Sequence, residues 1–275
     1  MKLSIIIVLY NKTIADSLTV QSVLRIKDKL KENIDVVVHN NGPSTVSEEF
    51  NLLNAAYFNS ITLVETLENS SLSCIYNEFY NKNNADIYAF LDDDSVLNDN
   101  YFIDLICHGQ SKFVYYPTLT GKYGHIVNPS VKGGYRTGPF NKDDTIYTIT
   151  SGLAIGELFA QKILSNYTNI FDERFYFYGI DTSFSIRVMN LQLQSRIQTT
   201  SSFKHSLSKE ENDYSTSDFR IKEVSYASAL IHRHYFAIKY FPNLIKTISN
   251  IITGKSIIRF SYFIKAFISG KHYRN

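Results

Sequence analysis

Three consecutive carboxylates, Asp92, Asp93 and Asp94, directly follow the apolar run of residues 87–91 (IYAFL). Such a run is typical of a strand buried on both faces, and ligands bind at the carboxyl ends of strands in open parallel sheets. Asp92 and Asp94 can reach the same ligand once the chain leaves the strand. Hard oxygen ligands suit Mg²⁺ or Mn²⁺ bound together with a substrate diphosphate. A solvated acidic turn is the common alternative, and the position after a buried strand favours the metal site.

The elements that must position these acids alternate along the chain. Apolar runs predict buried strands at Leu3–Leu9 and at residues 34–38, 61–65 and 87–91, whereas helical spacing appears at residues 72–80, 157–164 and 182–191. Thr13 is predicted to cap a helix after the first strand. This alternation predicts an α/β fold in which a mostly parallel, Rossmann-like sheet is flanked by helices.

Composition limits the class of protein. With 275 residues, of which 44% are hydrophobic and 20% charged, the chain can form one large domain with an appendage and is not generally disordered. Its two cysteines do not make a disulfide framework, which favours a reducing compartment. The first apolar run is short and lacks a small-residue cleavage site, so it indicates a strand rather than a signal peptide. No apolar run reaches the ~20 residues that span a bilayer.

The last quarter of the chain differs from the rest. Residues 224–275 contain eight Lys or Arg and no Asp or Glu, and combine these cations with large apolar side chains in helical stretches. Basic amphipathic helices bind anionic membrane surfaces. Packing on the rest of the protein, or an oligomer interface, is the alternative. Nucleic acid is a poorer partner, because the remainder of the chain is acidic and carries no nucleic-acid motif.

Residues 3–205 contain an ordered set of short segments that resembles the family 2 glycosyltransferases of the GT-A fold. The segment FDERFYFYGID at residues 171–181, followed by Arg187, is similar to the rhamnosyltransferase-like branch. Each motif alone is weak, and the specificity lies in their order. The other matching segments are SIIIVLYNK (4–12), VVVHNNG (36–42), ENSSL (68–72) with Asn77, LDDD (91–94) and the Ser151-Gly152 pair.

The resemblance implies roles at the matching positions. It implies that Asp92 and Asp94 hold Mg²⁺ or Mn²⁺ and the donor diphosphate, with His205 near the metal. It implies that Asp181 is the general base, because a sugar hydroxyl is a poor nucleophile until its proton is removed. Arg187 would contact a phosphate or form a structural salt bridge. The remaining positions implied to bind the nucleotide sugar are Tyr10, Asn11, Asn40, Asn69, Asn77 and Asp93.

Two positions depart from the family pattern. Asn40 replaces the usual Asp of the second motif, although an amide can still donate and accept hydrogen bonds to a base. Ser183 stands where relatives often have a second acid, which leaves Asp181 as the only acid there. The domain organisation expected from the resemblance is a catalytic domain over residues 1–225, with a nucleotide-binding half at 1–108 and an acceptor-binding half at 109–225. A basic amphipathic helical tail follows at 226–275.

The resemblance implies a metal-dependent, inverting glycosyltransferase. It would move a sugar from a UDP- or dTDP-linked donor to a hydroxyl of a lipid-linked glycan, in the synthesis of O-antigen or capsule. The expected location is the cytoplasmic side of the cell membrane, bound peripherally through the tail. A catalytically inactive nucleotide-sugar-binding or scaffold subunit is the alternative. A sugar nucleotidyltransferase is less favoured, because residues 10–17 contain no glycine for a phosphate loop.

Overall fold

The computed structural model describes residues 1–26, 28–52, 58–121, 124–205, 217–235 and 241–274, without the side chains of residues 29, 205 and 241–243. The strands are β1 (Leu3–Leu9), β2 (Ile34–Asn40), β3 (Ser60–Glu65), β4 (Ile87–Asp92), β5 (Ser95–Val96), β6 (Val114–Tyr116), β7 (Leu119–Thr120), β8 (Ile126–Asn128), β9 (Ser130–Val131), β10 (Gly134–Tyr135), β11 (Ile146–Tyr147), β12 (Leu153–Gly156), β13 (Ile197–Thr199) and β14 (Phe203–His205). The helices are α1 (Leu18–Leu24), α2 (Asp28–Lys31), α3 (Ser47–Leu52), α4 (Leu72–Lys82), α5 (Asp99–Ile106), α6 (Glu157–Leu164), α7 (Ile180–Asn190), α8 (Asp218–His234), α9 (Phe241–Ile252) and α10 (Phe260–Ser269), with a 3₁₀ turn at Gln194–Arg196.

A seven-stranded sheet forms the centre of the molecule, in the order β13-β6-β12-β4-β1-β2-β3. Strands β4, β1, β2 and β3 run parallel to one another, whereas β12 runs antiparallel to both of its neighbours. All seven residues of β1 are buried, as expected for a strand covered on both faces. The predicted α/β fold with a mostly parallel sheet flanked by helices is therefore confirmed.

The first helix begins later than the sequence predicts. Thr13 does not cap it: Thr13 and Asp16 form a local turn, in which the Asp16 N–H donates to the Thr13 hydroxyl at 3.1 Å. Helix α1 starts at Leu18, and the Ser17 hydroxyl caps it by accepting a hydrogen bond from the Val20 N–H at 3.2 Å. Both residues are good cap formers, and the turn at Thr13 satisfies its hydroxyl before the helix starts.

A second sheet of short strands includes β5, which directly follows the Asp92–Asp94 turn. Strands β5, β14, β7 and β8 form a second sheet in that order. Its first pair is antiparallel and aligns Ser95 with His205 and Val96 with Lys204. The backbone of His205 thus lies beside β5, the strand that follows the three acids. The side chain of His205 is not among those that the structure describes. Strands β10, β9 and β11 form a third, smaller sheet.

Helix α8 joins the tail to the rest of the protein. It runs from Asp218 to His234 and so passes through residue 225, where the sequence suggests the end of the catalytic domain. Helix α10 packs on α8, with Phe263 and Ala266 buried against Tyr226 and Ala229. None of the helices in the described ranges is both long enough and apolar enough to cross a membrane.

Candidate active site

A cavity of about 550 Å³ opens at the carboxyl ends of β1 and β4. The two strands are in register at Val8 and Asp92, so both of these residues reach the same edge of the sheet. The cavity is lined by Val8, Tyr10, Asn41, Asn69, Leu72, Asp92, Asp93, Asp94, Phe177, Phe219 and Arg274. The structure therefore brings together the three acids with two of the predicted nucleotide-binding residues, Tyr10 and Asn69.

The backbone of the acidic turn is held by neighbouring hydroxyl groups. The Thr19 hydroxyl donates to the Asp92 carbonyl at 2.5 Å and accepts from the Ser95 N–H at 2.8 Å. The Ser151 hydroxyl accepts from the Asp92 N–H at 3.1 Å. Ser151, which the sequence assigns to the acceptor side, thus also fixes the start of the turn. These contacts orient the carboxylates before any ligand arrives.

Asp93 forms an ion pair within the protein. Its carboxylate accepts a hydrogen bond from the Lys12 ammonium at 2.5 Å and one from the Tyr10 N–H at 3.2 Å. The pair with Lys12 offsets one of the three negative charges that crowd the turn. It also ties the turn after β1 to the turn after β4, and so fixes the position of Tyr10 at the cavity.

Asp92 and Asp94 fit the donor set that the sequence predicts for a divalent ion. Both line the cavity, and Mg²⁺ is usually bound through one or two carboxylates together with substrate phosphates rather than by an all-protein cage. The described residues contain no group of three His, Cys, Asp or Glu side chains placed to hold a metal by themselves. The role predicted for His205 in this set stays a prediction.

Asp181 lies in the first turn of α7 and is not among the residues that line the cavity. The buried Tyr76 hydroxyl donates to the Asp92 carboxylate at 3.4 Å. Burial, followed by the negative charges of Asp92 and Asp181, raises the pKa of Tyr76 well above its usual value. The Asp181 carboxylate itself accepts from the Thr182 N–H at 2.7 Å. The charges of Asp92 and Asp181 thus both act on the Tyr76 hydroxyl, and the role of general base implied for Asp181 stays a prediction.

Gly179 sets the direction in which α7 leaves the preceding loop. Its φ of 87° lies in the left-handed region. A Cβ at this position would also approach the Phe175 ring to 2.7 Å. Only glycine meets both conditions at little cost, so Gly179 sets the start of the helix that carries Asp181.

Asn40 uses its amide inside the protein. It is 1% exposed, and its Nδ2 donates to the Ser44 carbonyl at 2.7 Å and to Glu65 at 2.8 Å. Burial alone would raise the pKa of Glu65, but hydrogen bonds from the Val46 N–H, Asn40, Ser47 and Thr45 outweigh it and lower the pKa to about 2. The neighbouring Asn41, which the sequence analysis did not select, lines the cavity instead.

Asn11 contributes to the same edge through its backbone. It adopts a φ of 52°, and its N–H donates to the Gly42 carbonyl at 2.7 Å. Asparagine tolerates this left-handed conformation better than most residues. The contact joins the turn after β1 to the turn after β2. The nucleotide contacts predicted for Asn11 and Asn40 stay predictions.

Asn77 and Arg187 both hold the loop that precedes α7. Asn77 is 4% exposed, and its side chain accepts from the Phe171 N–H at 3.0 Å and donates to the Phe171 carbonyl at 2.9 Å. Arg187 is 5% exposed and forms an ion pair with Asp172 at 3.2 Å. Of the two roles considered for Arg187, the structure shows the salt bridge. Neither residue lines the cavity that contains the acids.

The buried ion pair has several partners. The Arg187 guanidinium also donates to the Tyr235 hydroxyl at 2.8 Å and to the Asn169 carbonyl at 2.7 Å. Burial would raise the pKa of Asp172, but hydrogen bonds from Arg174 and Tyr235 and the charges of both arginines outweigh it and lower that pKa. This network connects α7 to the residue that follows α8, and the phosphate contact predicted for Arg187 stays a prediction.

Phe177, Phe219 and Arg274 were not selected from the sequence, yet all three line the cavity. Phe177 falls within residues 171–181, the segment that resembles the glycosyltransferase pattern. Core packing explains aromatic residues in such a segment as well as contact with a ligand does. Phe219 and Arg274 belong to α8 and to the segment after α10, so the region interpreted as a membrane-binding tail also contributes to the candidate site.

No protein-family model matches the sequence, and no curated protein matches it. The fold, however, matches solved structures. S. aureus TarS 1–349 is similar over 100% of this chain and 82% of its own, with a TM-score of 0.60 and 18% identity. The structure of GalNAc-T7 with UDP, GalNAc and Mn²⁺ is similar over 85% of this chain, with a TM-score of 0.58 and 14% identity. The fold is thus of the GT-A type that these neighbours share.

The match covers only part of the longer neighbours. The similarity extends over 48% of the GalNAc-T7 chain and 40% of a longer TarS chain, the latter with a TM-score of 0.54 and 18% identity. Structures of TarS 1–349 contain UDP-GlcNAc in one case and UDP in another. At these identities the comparison establishes the fold of this chain.

Proposed function

We propose that this protein is an inverting glycosyltransferase that uses a nucleoside-diphosphate sugar, linked to UDP or dTDP. The observation that carries the proposal is the pair Asp92 and Asp94 at the edge of a GT-A sheet, where both line a cavity of about 550 Å³. Asp181, in the first turn of α7, is the proposed general base. The structural neighbours, which contain UDP, UDP-GlcNAc or UDP with Mn²⁺, support a nucleotide-sugar donor. The family 2, rhamnosyltransferase-like assignment is part of this proposal.

In the proposed reaction, a hydroxyl of the acceptor attacks the anomeric carbon of the donor sugar. The carbon–oxygen bond to the nucleoside diphosphate breaks as the new glycosidic bond forms, and attack from the opposite face inverts the configuration. Asp181 removes the proton of the attacking hydroxyl, because the hydroxyl is a poor nucleophile without a base. The nucleoside diphosphate leaves with the electron pair of the broken bond.

Asp92 and Asp94 would hold Mg²⁺ or Mn²⁺ at the carboxyl end of β4. When bound, such an ion neutralises the charge that develops on the diphosphate as it leaves. Asp93 has a different part in the proposal. Through Lys12 and the Tyr10 N–H it keeps the two turns of the site together, and so it supports donor binding.

The proposed acceptor is a lipid-linked glycan of a bacterial-type surface polysaccharide, O-antigen or capsule. Support comes from an exposed apolar stripe on α10, formed by Phe260, Ile264 and Ile268, which are 51%, 38% and 69% exposed. Cations without any acid surround it in sequence. In the proposal, this surface docks the enzyme peripherally on the anionic inner face of the cell membrane.

The test is calorimetric binding of UDP, dTDP, GDP and CMP, with and without Mn²⁺, to the wild type and to Asp94→Ala. We expect Mn²⁺-dependent binding of UDP or dTDP, with a loss of at least about tenfold in affinity in the variant, because the metal-mediated contact to the diphosphate is removed. Asp143→Ala is the matched control, since Asp143 is exposed and lies outside the cavity.

The possible results separate the proposal from its alternative. Absence of nucleotide binding in the wild type would contradict the transferase function. Metal-dependent nucleotide binding without any release of nucleoside diphosphate from a donor sugar, with or without acceptor glycans, would favour the inactive binding subunit instead.

A further inference from the structure

The segment of residues 272–274 is anchored against the rest of the protein before it reaches the cavity. His272 is 3% exposed, and its Nε2 lies 3.4 Å from Oε1 of Glu223 on α8. The Tyr273 hydroxyl donates to the same oxygen at 2.6 Å. The His272 ring stacks on Tyr176 at 5.4 Å between centroids. Buried polar contacts of this kind fix the path of the backbone.

Arg274 follows these anchors and lies in the wall of the cavity. Its guanidinium carbon is 4.7 Å from the ring centroid of Tyr176, 5.2 Å from that of Phe177 and 5.5 Å from that of Phe219. Its NH1 donates to the Asn69 carbonyl at 3.2 Å. Guanidinium groups stack well on aromatic rings, so the side chain is held from several sides.

The charge of Arg274 is distinctive within this wall. Among the described residues that line the cavity, Arg274 is the one positively charged side chain. The same lining contains the negatively charged Asp92, Asp93 and Asp94. A guanidinium has five N–H donors in a planar fork, which matches phosphoryl oxygens and forms paired, charge-assisted hydrogen bonds with them.

We propose that Arg274 binds a phosphoryl group of the ligand that occupies this cavity. This inference rests on the proposed function. The phosphoryl group belongs to the diphosphate of the nucleotide donor or to the diphosphate of a lipid-linked acceptor, and both present the same chemistry to the guanidinium. Residues 272–274 therefore complete the site, although they are remote in sequence from the strands that carry the acids.

The experiment compares the wild type with Arg274→Ala, Arg274→Gln and Arg274→Lys in calorimetric titrations with UDP and dTDP plus Mn²⁺, with uridine and thymidine, and with decyl diphosphate. Arg259→Ala is the control, because Arg259 also stacks on a tyrosine of this region but pairs with Asp218 away from the cavity. We expect Ala and Gln to weaken diphosphate binding at least about tenfold, as for loss of a charge-assisted pair. Lys should restore part of it.

The source of the phosphoryl group follows from which ligand is affected. A selective loss for the nucleoside diphosphates, with nucleosides unchanged, assigns Arg274 to the donor. A selective loss for decyl diphosphate assigns it to the acceptor. Equal weakening of nucleosides and nucleoside diphosphates would overturn the inference and leave Arg274 as a packing residue, as would unchanged binding of all ligands.

Failure of the inference and failure of the proposed function remain distinguishable. If the wild type and the Arg274 variants bind UDP or dTDP with Mn²⁺ equally well, the proposed function stands. If the variants also bind decyl diphosphate as well as the wild type does, the inference about Arg274 is overturned. If the wild type binds no nucleotide but binds decyl diphosphate through Arg274, the phosphoryl site stands and the transferase proposal fails.

Discussion

At the scale of single residues, Asp92, Asp93 and Asp94 show how three identical side chains acquire different roles. Asp93 pairs with Lys12 at 2.5 Å and Asp92 accepts a hydrogen bond from the Tyr76 hydroxyl at 3.4 Å, while all three acids line the cavity. Three adjacent carboxylates would repel one another in water and more strongly at a buried strand end. The ion pair of the middle acid with Lys12 lowers this repulsion.

Asp181 gives the sharpest test of the proposed chemistry. In Asp181→Asn the amide keeps the shape of the side chain but cannot take up a proton, so we expect kcat to fall about 10²- to 10⁴-fold. Nucleotide affinity should stay within about twofold, because the base acts on the acceptor. The measurement is release of nucleoside diphosphate from the donor, beside calorimetric binding. Asp143→Asn serves as control, and wild-type turnover in Asp181→Asn would exclude Asp181 as the base.

At the scale of elements, Asn77 joins α4 to the loop that leads into α7. Its side chain pairs with both the N–H and the carbonyl of Phe171 and with Glu173 at 2.9 Å. Phe171 is fully buried, so water cannot replace these bonds. The segment that carries Asp181 is therefore positioned by a residue that itself lies away from the cavity.

We expect Asn77→Ala to lower the free energy of unfolding by about 2–4 kcal/mol, since two buried backbone groups lose their partners. Nucleotide affinity should change little in the folded variant, because Asn77 does not line the cavity. Denaturant unfolding and calorimetric binding measure the two effects. Asn81→Ala, at an exposed position of the same helix, is the control. A large loss of nucleotide affinity with full stability would instead support the donor contact predicted from the sequence.

The elements that the sequence predicted well are those with a strong local pattern. Strand β1 has the predicted bounds, and β4 and α4 each extend only slightly further, because long apolar runs and helical spacing leave few alternatives. The start of α1 was wrong, because both Thr13 and Ser17 can cap a helix and their local hydrogen bonds decide between them. Amide roles were equally hard to predict: Asn40 and Asn41 are adjacent, and only the fold shows which one faces the cavity.

At the scale of the whole molecule, the tail has two surfaces. One side of α10 packs on α8 through Phe263 and Ala266, which are 3% and 0% exposed. The chain then turns at Gly270, with a φ of 68°, and brings Arg274 to the cavity. The sequence showed an amphipathic basic region but not what covers it, because an apolar helical face can pack on protein or on lipid. The alternative that the tail packs on the protein therefore applies to the face of α10 that carries Phe263 and Ala266. The interpretation as a membrane-binding surface applies to the exposed face.

The exposed face of α10 carries the last prediction. Phe260, Ile264 and Ile268 are spaced four residues apart and are exposed together, with Lys265 between them. We expect the protein to bind vesicles of phosphatidylcholine and phosphatidylglycerol more tightly than vesicles of phosphatidylcholine alone, and salt to weaken this binding.

Replacing all three apolar residues of the stripe by serine should reduce binding to the anionic vesicles at least about tenfold, because their burial in the interface is lost. Vesicle sedimentation measures the bound fraction, and UDP binding in solution shows whether the variant remains folded. Leu52→Ser with Leu158→Ser is the matched control, since these leucines are 86% and 50% exposed but lie on α3 and α6. If the stripe variant binds vesicles as well as this control, α10 is not the docking surface. If the wild type itself does not bind anionic vesicles, the tail's cations and apolar stripe serve a protein contact, and the lipid-linked acceptor loses its structural support.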